Sequence, residues 1–258
     1  PKSKSLVVNA GLANQGAHKI LDRLSRYSSH QLGNMRVNVS VAYTNEKQTC
    51  TEKEAIADYI ASLKLIKKQT RVDLVTLNIS CPNTYGGEPF TTPAKLGRLL
   101  VAVDKVGLKI PVFIKMPIDK TDSEFAALID TILKHNVAGV TISNLFKDRS
   151  KAQLSETLPD SVPGNLSGKP TFDRSNQLIK LARQRAGNKL VISGVGGVFS
   201  AEDAYTKIRS GANLVQMVTA LMFEGPQIVG QINRGLVKLL ERDGFSNVAE
   251  AVGVDLKK

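Results

Sequence analysis

A thiol set between two amides is the first place in this sequence where chemistry could be done. Cys81 stands in Leu77-Asn78-Ile79-Ser80-Cys81-Pro82-Asn83-Thr84, directly after an apolar run of strand length. The run ends in proline and then glycine, which cannot continue a strand. A buried strand could end in a plain turn. This one ends in hydrogen-bonding side chains around a sulfur, the form of an active-site loop carried on a rigid strand. A thiolate there would serve as base or nucleophile, whereas a buried, unactivated thiol would be inert. No histidine is placed by the sequence to activate it. His18 and His30 fall in or after the first helix, and His135 in a helix tail. That argues against cysteine–histidine hydrolysis. It fits a cysteine that takes a proton from an already acidified carbon. No metal site is expected, because Cys, His and Asp nowhere cluster at ligand spacing.

A second apolar run, Val112-Phe-Ile-Lys115-Met-Pro117, ends in lysine. Most lysines are solvated surface groups. One at the carboxyl end of a strand can stabilise negative charge on a bound ring or phosphate. A third run leads into Gly194-Val-Gly196-Gly197 and then a helix. The glycines are either a tight turn or a cradle of backbone N–H groups for phosphate. A second helix start at Val218-Thr219, in the next unit, favours the cradle. Asn38 and Ser143-Asn144 complete the polar groups expected at strand ends.

The elements that must position these groups alternate regularly. Strands are expected at 35–43, 74–80, 112–115, 139–143, 190–194 and 214–217. Helices are expected at 17–27, from Thr51 to about 68, and at 92–106, 123–135, 173–186, 200–210 and 226–242. Thr51 and Glu54 form a capping-box start, and Pro93 suits a first helical turn. Residues 145–170 read as a long loop, and 243–258 as a short helix or a frayed tail. Strand-then-helix alternation implies parallel strands with right-handed crossovers. Near-continuous apolar strands imply that both sheet faces are covered. Six such units fall two short of an eight-stranded barrel. The expectation is α/β, a TIM (β/α)8 barrel with its first two strands absent from a chain that begins at Pro1. It is expected to form a single domain over residues 1–258. An open doubly wound sheet is the alternative.

Composition narrows the setting. With 42% apolar and 22% charged residues in 258, the chain is an ordinary globular one with room for a substantial core. No apolar run reaches membrane-span length, and no secretory signal opens the chain. Cys50 and Cys81 form no CxxC motif, which favours a reducing compartment. The net charge of +12 reads as solvated lysines, or as preference for an anionic cofactor, an anionic substrate or an acidic membrane surface. Nucleic acid is not expected, since no basic run interleaves with aromatics.

On Leu77-Asn-Ile-Ser-Cys-Pro-Asn-Thr84, Phe113-Ile-Lys-Met-Pro117, Asn165-Leu-Ser-Gly168, Ser193-Gly-Val-Gly-Gly197 and Gly211-Ala-Asn-Leu-Val-Gln216, the chain resembles the dihydroorotate dehydrogenase family, the FMN-dependent barrels of pyrimidine synthesis. The resemblance runs from about Leu6 to Leu239. It implies that Asn38, Asn78 and Lys115 contact the flavin ring, with Ser143 beside it. It implies that Gly168, Gly196, Gly197, Val218 and Thr219 hold the FMN phosphate, and that Asn78, Asn83 and Asn144 hold the substrate. Cys81 would remove the C5 proton of dihydroorotate while hydride passes from C6 to the flavin. The resemblance also implies an N-terminal segment and two further strands not present here. Quinone or fumarate are the electron acceptors it favours. The site would be cytoplasmic or the inner side of a membrane, with membrane association through that segment, and a homo-oligomer is compatible with it.

The chain mixes two classes of that family. A cysteine base resembles the soluble class, whereas Leu166-Ser-Gly-Lys-Pro170 and the last third resemble the quinone-linked one. Val8 stands where the family has asparagine, and Leu145 where it has serine or threonine. Those two positions motivate an alternative, a related FMN oxidoreductase acting on another dihydropyrimidine or an enone. The shortfall of strands motivates another, a non-catalytic relic that binds phosphate ligands.

Overall fold

A computed structural model describes residues 2–11, 14–43, 51–81, 88–152, 154–159 and 161–256. In chain order these form β1 (Ser5–Val8), α1 (Gly16–Ser25), α2 (Ser29–Leu32), β2 (Asn38–Ala42), α3 (Glu52–Ile66), β3 (Leu74–Asn78), α4 (Pro93–Val106), β4 (Val112–Lys115) and α5 (Asp122–Ile132). There follow β5 (Gly139–Ile142), β6 (Asn165–Gly168), α6 (Phe172–Ala186), β7 (Val191–Val195), α7 (Ala201–Arg209), β8 (Leu214–Gln216), α8 (Thr219–Glu224), α9 (Gln227–Arg242) and α10 (Val248–Ala251). Strands β2, β3, β4, β5, β7 and β8 belong to one sheet. Parallel strands alternating with helices make this an α/β fold of the TIM-barrel kind, with six of a barrel's eight strands among the described residues.

The chain divides into two compact units. One comprises residues 10–115 and 131–139. Its strands β2, β3 and β4 run parallel, and their register sets Ala42, Asn78 and Lys115 side by side. Residues in register point to the same face, so the side chains of Asn78 and Lys115 are lateral neighbours. Helix α3 buries Ala55, Tyr59, Leu63 and Ile66, a stripe at helical spacing. Its start is the capping box the sequence implies. Thr51 Oγ1 accepts from the Glu54 N–H, and Glu54 accepts from the Thr51 N–H. Helix α4 begins at Pro93 and buries Leu96, Leu99, Leu100, Val103 and Val106.

The other unit comprises residues 1–9, 116–130 and 140–258. Here β7 and β8 run parallel, and β1 pairs antiparallel with β6. That pairing corrects the reading of 145–170 as loop throughout, because β6 lies inside it. Each partner is four residues long, and the two lie some 160 residues apart in sequence, so neither shows a pattern of its own. The tail is ordered as α10 and a short turn at Val254–Leu256. It is held by ion pairs from Arg209 to Asp243 at 3.0 Å and to Asp255 at 2.6 Å. Tyr205 also donates to Asp243 at 2.8 Å.

One strand boundary bears on the site. Strand β2 was expected from residue 35 and starts at Asn38. Asp73 takes the Val37 N–H at 2.8 Å, so on its N–H side the approach to the strand is tied to a side chain, while the Val37 carbonyl accepts from the backbone of Asp73 and Leu74. Asn38 is therefore at the amino end of β2, opposite Leu74, and not at a carboxyl end. That corrects its placement among the strand-end groups.

Candidate active site

The first group of site residues lies in the unit formed by 10–115 and 131–139. Asn78 ends β3, and its side-chain carbonyl accepts from the N–H and the hydroxyl of Ser80, each at 3.3 Å. Its backbone carbonyl accepts from Tyr59 at 2.8 Å. Tyr59 is buried on α3 and packs edge-on against Phe90, with ring centroids 5.7 Å apart. Burial pushes the Tyr59 hydroxyl well above the ordinary phenol range, so it stays a proton donor. A helix side chain thus fixes the end of the strand that presents Asn78.

Cys81 follows three residues on and is partly exposed. Lys115, beside Asn78, is pushed below the ordinary lysine range by burial, and a negative charge at Cys81 opposes that shift. Cys81 also acts electrostatically on Tyr59. So the thiol sits within electrostatic reach of both the ammonium and the phenol. Asn38 is two positions down the same face from Ser40, and its amide meets Thr76 Oγ1 at 3.0 Å. It shares a face with Asn78 and Lys115 but sits nearer the amino ends. Asn83 and Cys50 fall outside the described residues.

The second group lies in the other unit. Gly196 and Gly197 follow β7 with φ of +114° and +70°. A Cβ on Gly196 would strike Thr171 Oγ1, and one on Gly197 would lie 2.6 Å from Phe172 Cβ. Close packing alone therefore requires glycine here. A further observation points outward: among the described residues, neither glycine donates its backbone N–H to a protein acceptor. Thr171 Oγ1 donates to the Gly168 carbonyl at 2.8 Å. A Cβ on Gly168 would lie 2.9 Å from Thr219 Cγ2, and the hydroxyls of Ser167 and Thr219 are 2.9 Å apart. Gly168, Gly196, Gly197 and Thr219 are thus gathered around one spot, with Val218 capping α8 and 67% exposed. Backbone N–H groups without a protein acceptor, framed by glycines and hydroxyls, fit a phosphate monoester.

Ser143 is buried, and its hydroxyl donates to the Val195 carbonyl at 3.4 Å, which ties it to the glycine loop. The Ile142–Ser143 peptide bond is cis. Asn144 accepts from the Leu145 N–H at 2.9 Å. Val8 is the last residue of β1, in register with Asn165. Sequence reasoning missed Tyr59, Ser167 and Thr171. Tyr59 carries no signal beyond a helical core position, whereas Ser167 lies inside a motif already singled out and Thr171 directly follows it, so extending the reading to their hydroxyls could have found both.

Residues 2–240 match the family model described as dihydroorotate dehydrogenase. A dihydroorotate dehydrogenase (quinone) of Trichodesmium erythraeum is 33% identical over 261 residues, covering 98% of this chain and 68% of that protein. One of Deinococcus deserti is 35% identical over 264 residues, covering 99% and 70%. Among solved structures, ligand-free DHODH of Eimeria tenella superposes with a TM-score of 0.88 at 21% identity, covering 98% of this chain and 75% of that one. At that identity the likeness speaks for the fold alone.

Proposed function

The chain belongs to the dihydroorotate dehydrogenase family, and from that membership we propose that it oxidises dihydroorotate to orotate in pyrimidine biosynthesis with FMN as its cofactor. The observation that carries the reading is the group of Asn78 and Lys115, in lateral register, with Cys81 within electrostatic reach of the lysine. Cys81 takes the proton from C5 of the substrate. Lys115 holds its charge best when Cys81 is ionised, so the pair is suited to a site where negative charge develops. Asn78, with Asn83 and Asn144, binds the substrate's carbonyl and carboxylate groups through its amide. Asn38, Asn78, Lys115 and Ser143 contact the flavin ring. The backbone of Gly168, Gly196, Gly197, Val218 and Thr219 holds the phosphate. The chemistry FMN supplies when bound is acceptance of the electron pair lost from C6.

The chain acts as a single domain in this reading. Its electron acceptor is a quinone, the acceptor in the names of its curated relatives, with fumarate as the rival. No helix among the described residues is long and apolar enough to cross a membrane. A quinone acceptor places the protein at a membrane surface, and fumarate would place it in the cytoplasm. The test is purification with FMN, then assay of orotate formation with quinone and with fumarate. Orotate formed with neither, by protein that retains FMN, sinks the substrate assignment. Leu145 and Val8 favour one second reading, another dihydropyrimidine or an enone. A screen of such compounds by flavin bleaching separates it from the first.

A further inference from the structure

Lys207 on α7 has no exposed surface. Its ammonium donates to Ser175 Oγ at 3.0 Å and to Asn176 Oδ1 at 2.9 Å, both near the start of α6. Ser175 Oγ donates in turn to the carbonyl of Val195 at 2.7 Å. The stem of Lys207 packs behind Gly194, where a Cβ would lie 3.2 Å from its Cδ. Its ammonium lies 4.9 Å from the centre of the Phe172 ring, and Phe172 is the residue against which Gly197 packs. One buried cation is therefore tied to both ends of the glycine loop, through Ser175 at one end and Phe172 at the other.

The Val195 carbonyl and the Gly196 N–H belong to the same peptide unit. In a trans peptide they point in opposite directions from one rigid plane. Holding the carbonyl inward against Ser175 aims the N–H outward. We propose that Lys207 is a positioning residue for the phosphate-binding loop: through Ser175 it fixes the Val195–Gly196 peptide so that the Gly196 N–H faces a bound phosphate monoester. The proposal rests on the flavin-phosphate reading above.

The chemistry of the lysine agrees with this role. Burying an ammonium is costly, and an apolar side chain of similar length would pack more cheaply. Burial pushes Lys207 down to about 7, with Asp203 and Asp173 supporting its charge and Lys169 opposing it. Lys169 is itself paired with Asp203 at 2.6 Å and its ammonium lies 4.1 Å from the centre of the Phe172 ring. An anion in the loop would favour the protonated lysine, so affinity for that anion should weaken as pH rises above neutrality.

The test is equilibrium binding of FMN and of riboflavin, which lacks the phosphate, followed by flavin fluorescence. Wild type, Lys207→Met, Ser175→Ala and the double variant are compared. Each single variant should weaken FMN roughly ten-fold and leave riboflavin unchanged. The double variant should be no weaker than the worse single one. Wild-type FMN affinity should fall from about pH 7 to about pH 9, and that fall should vanish in Lys207→Met. Equal losses for both flavins, or losses that add in the double variant, overturn the relay. If Lys207→Met does not fold by circular dichroism, Ser175→Ala decides on the same ratio. A wild type that prefers FMN while the variants match it refutes the relay alone. A wild type with no preference for FMN refutes the phosphate reading itself, and the relay with it.

Discussion

At the scale of single residues, the proposed chemistry rests on Cys81 and Lys115. General bases contribute roughly 10²–10⁴-fold to a rate. Cys81→Ala should therefore lower kcat by roughly that range while the FMN content of the purified protein stays at the wild-type level. Cys81→Ser, which keeps an oxygen in place of the sulfur, should lose less. A proportional loss of FMN in Cys81→Ala would show a structural residue instead of a base. Lys115→Met tests the partner: burial already presses this ammonium towards neutrality, so flavin reduction should be slow in the variant at every pH. In wild type it should fall at a lower alkaline pH than an ordinary lysine would give. Both residues were legible in the sequence because each ends an apolar run, and strand ends are where such folds place function. Asn38 was legible as a polar strand residue but not by position, since a side chain of Asp73 decides where its strand begins. Lys207 was not legible at all. Nothing in the sequence separates a lysine buried against Ser175 from those on helix surfaces.

At the scale of elements, helix α3 supports the end of strand β3 through Tyr59. Its capping box is exposed and complete, so Thr51→Ala should cost about 1 kcal/mol of stability, read as a lower denaturation midpoint with unchanged slope. Tyr59→Phe removes the donor to the Asn78 carbonyl. It should cost about 1–3 kcal/mol and raise KM for the substrate, because the strand end that presents Asn78 loses its anchor. Helices and parallel strands were readable from period and capping, which are local properties. Strand β6 was not. Its four residues are half polar, and they become a strand only because β1 folds back from the far end of the sequence to pair with them.

For the whole molecule, the charge and the buried lysine make separate predictions. A net charge of +12 attracts anions at long range. The kcat/KM for dihydroorotate, an anion, should fall as ionic strength rises, while kcat holds. Burial pushes Lys207 down to about 7 in the folded chain, against about 10.4 for a free lysine once unfolded. Between those values the unfolded chain binds the additional proton, so stability rises with pH through this window. Denaturation of wild type and Lys207→Met from neutral to alkaline pH should show a smaller rise in the variant, where only the lowered Lys115 still contributes. The fold class was legible from the alternation of strand and helix, and the division into two compact units was not, since it depends on contacts between residues far apart in sequence. The central claim remains the reaction, and it is tested most directly by mixing the FMN-loaded chain with dihydroorotate under anaerobic conditions and following the flavin's visible absorbance. The expected result is bleaching within one turnover with one orotate formed per flavin. A flavin that dithionite bleaches and saturating dihydroorotate does not would contradict it.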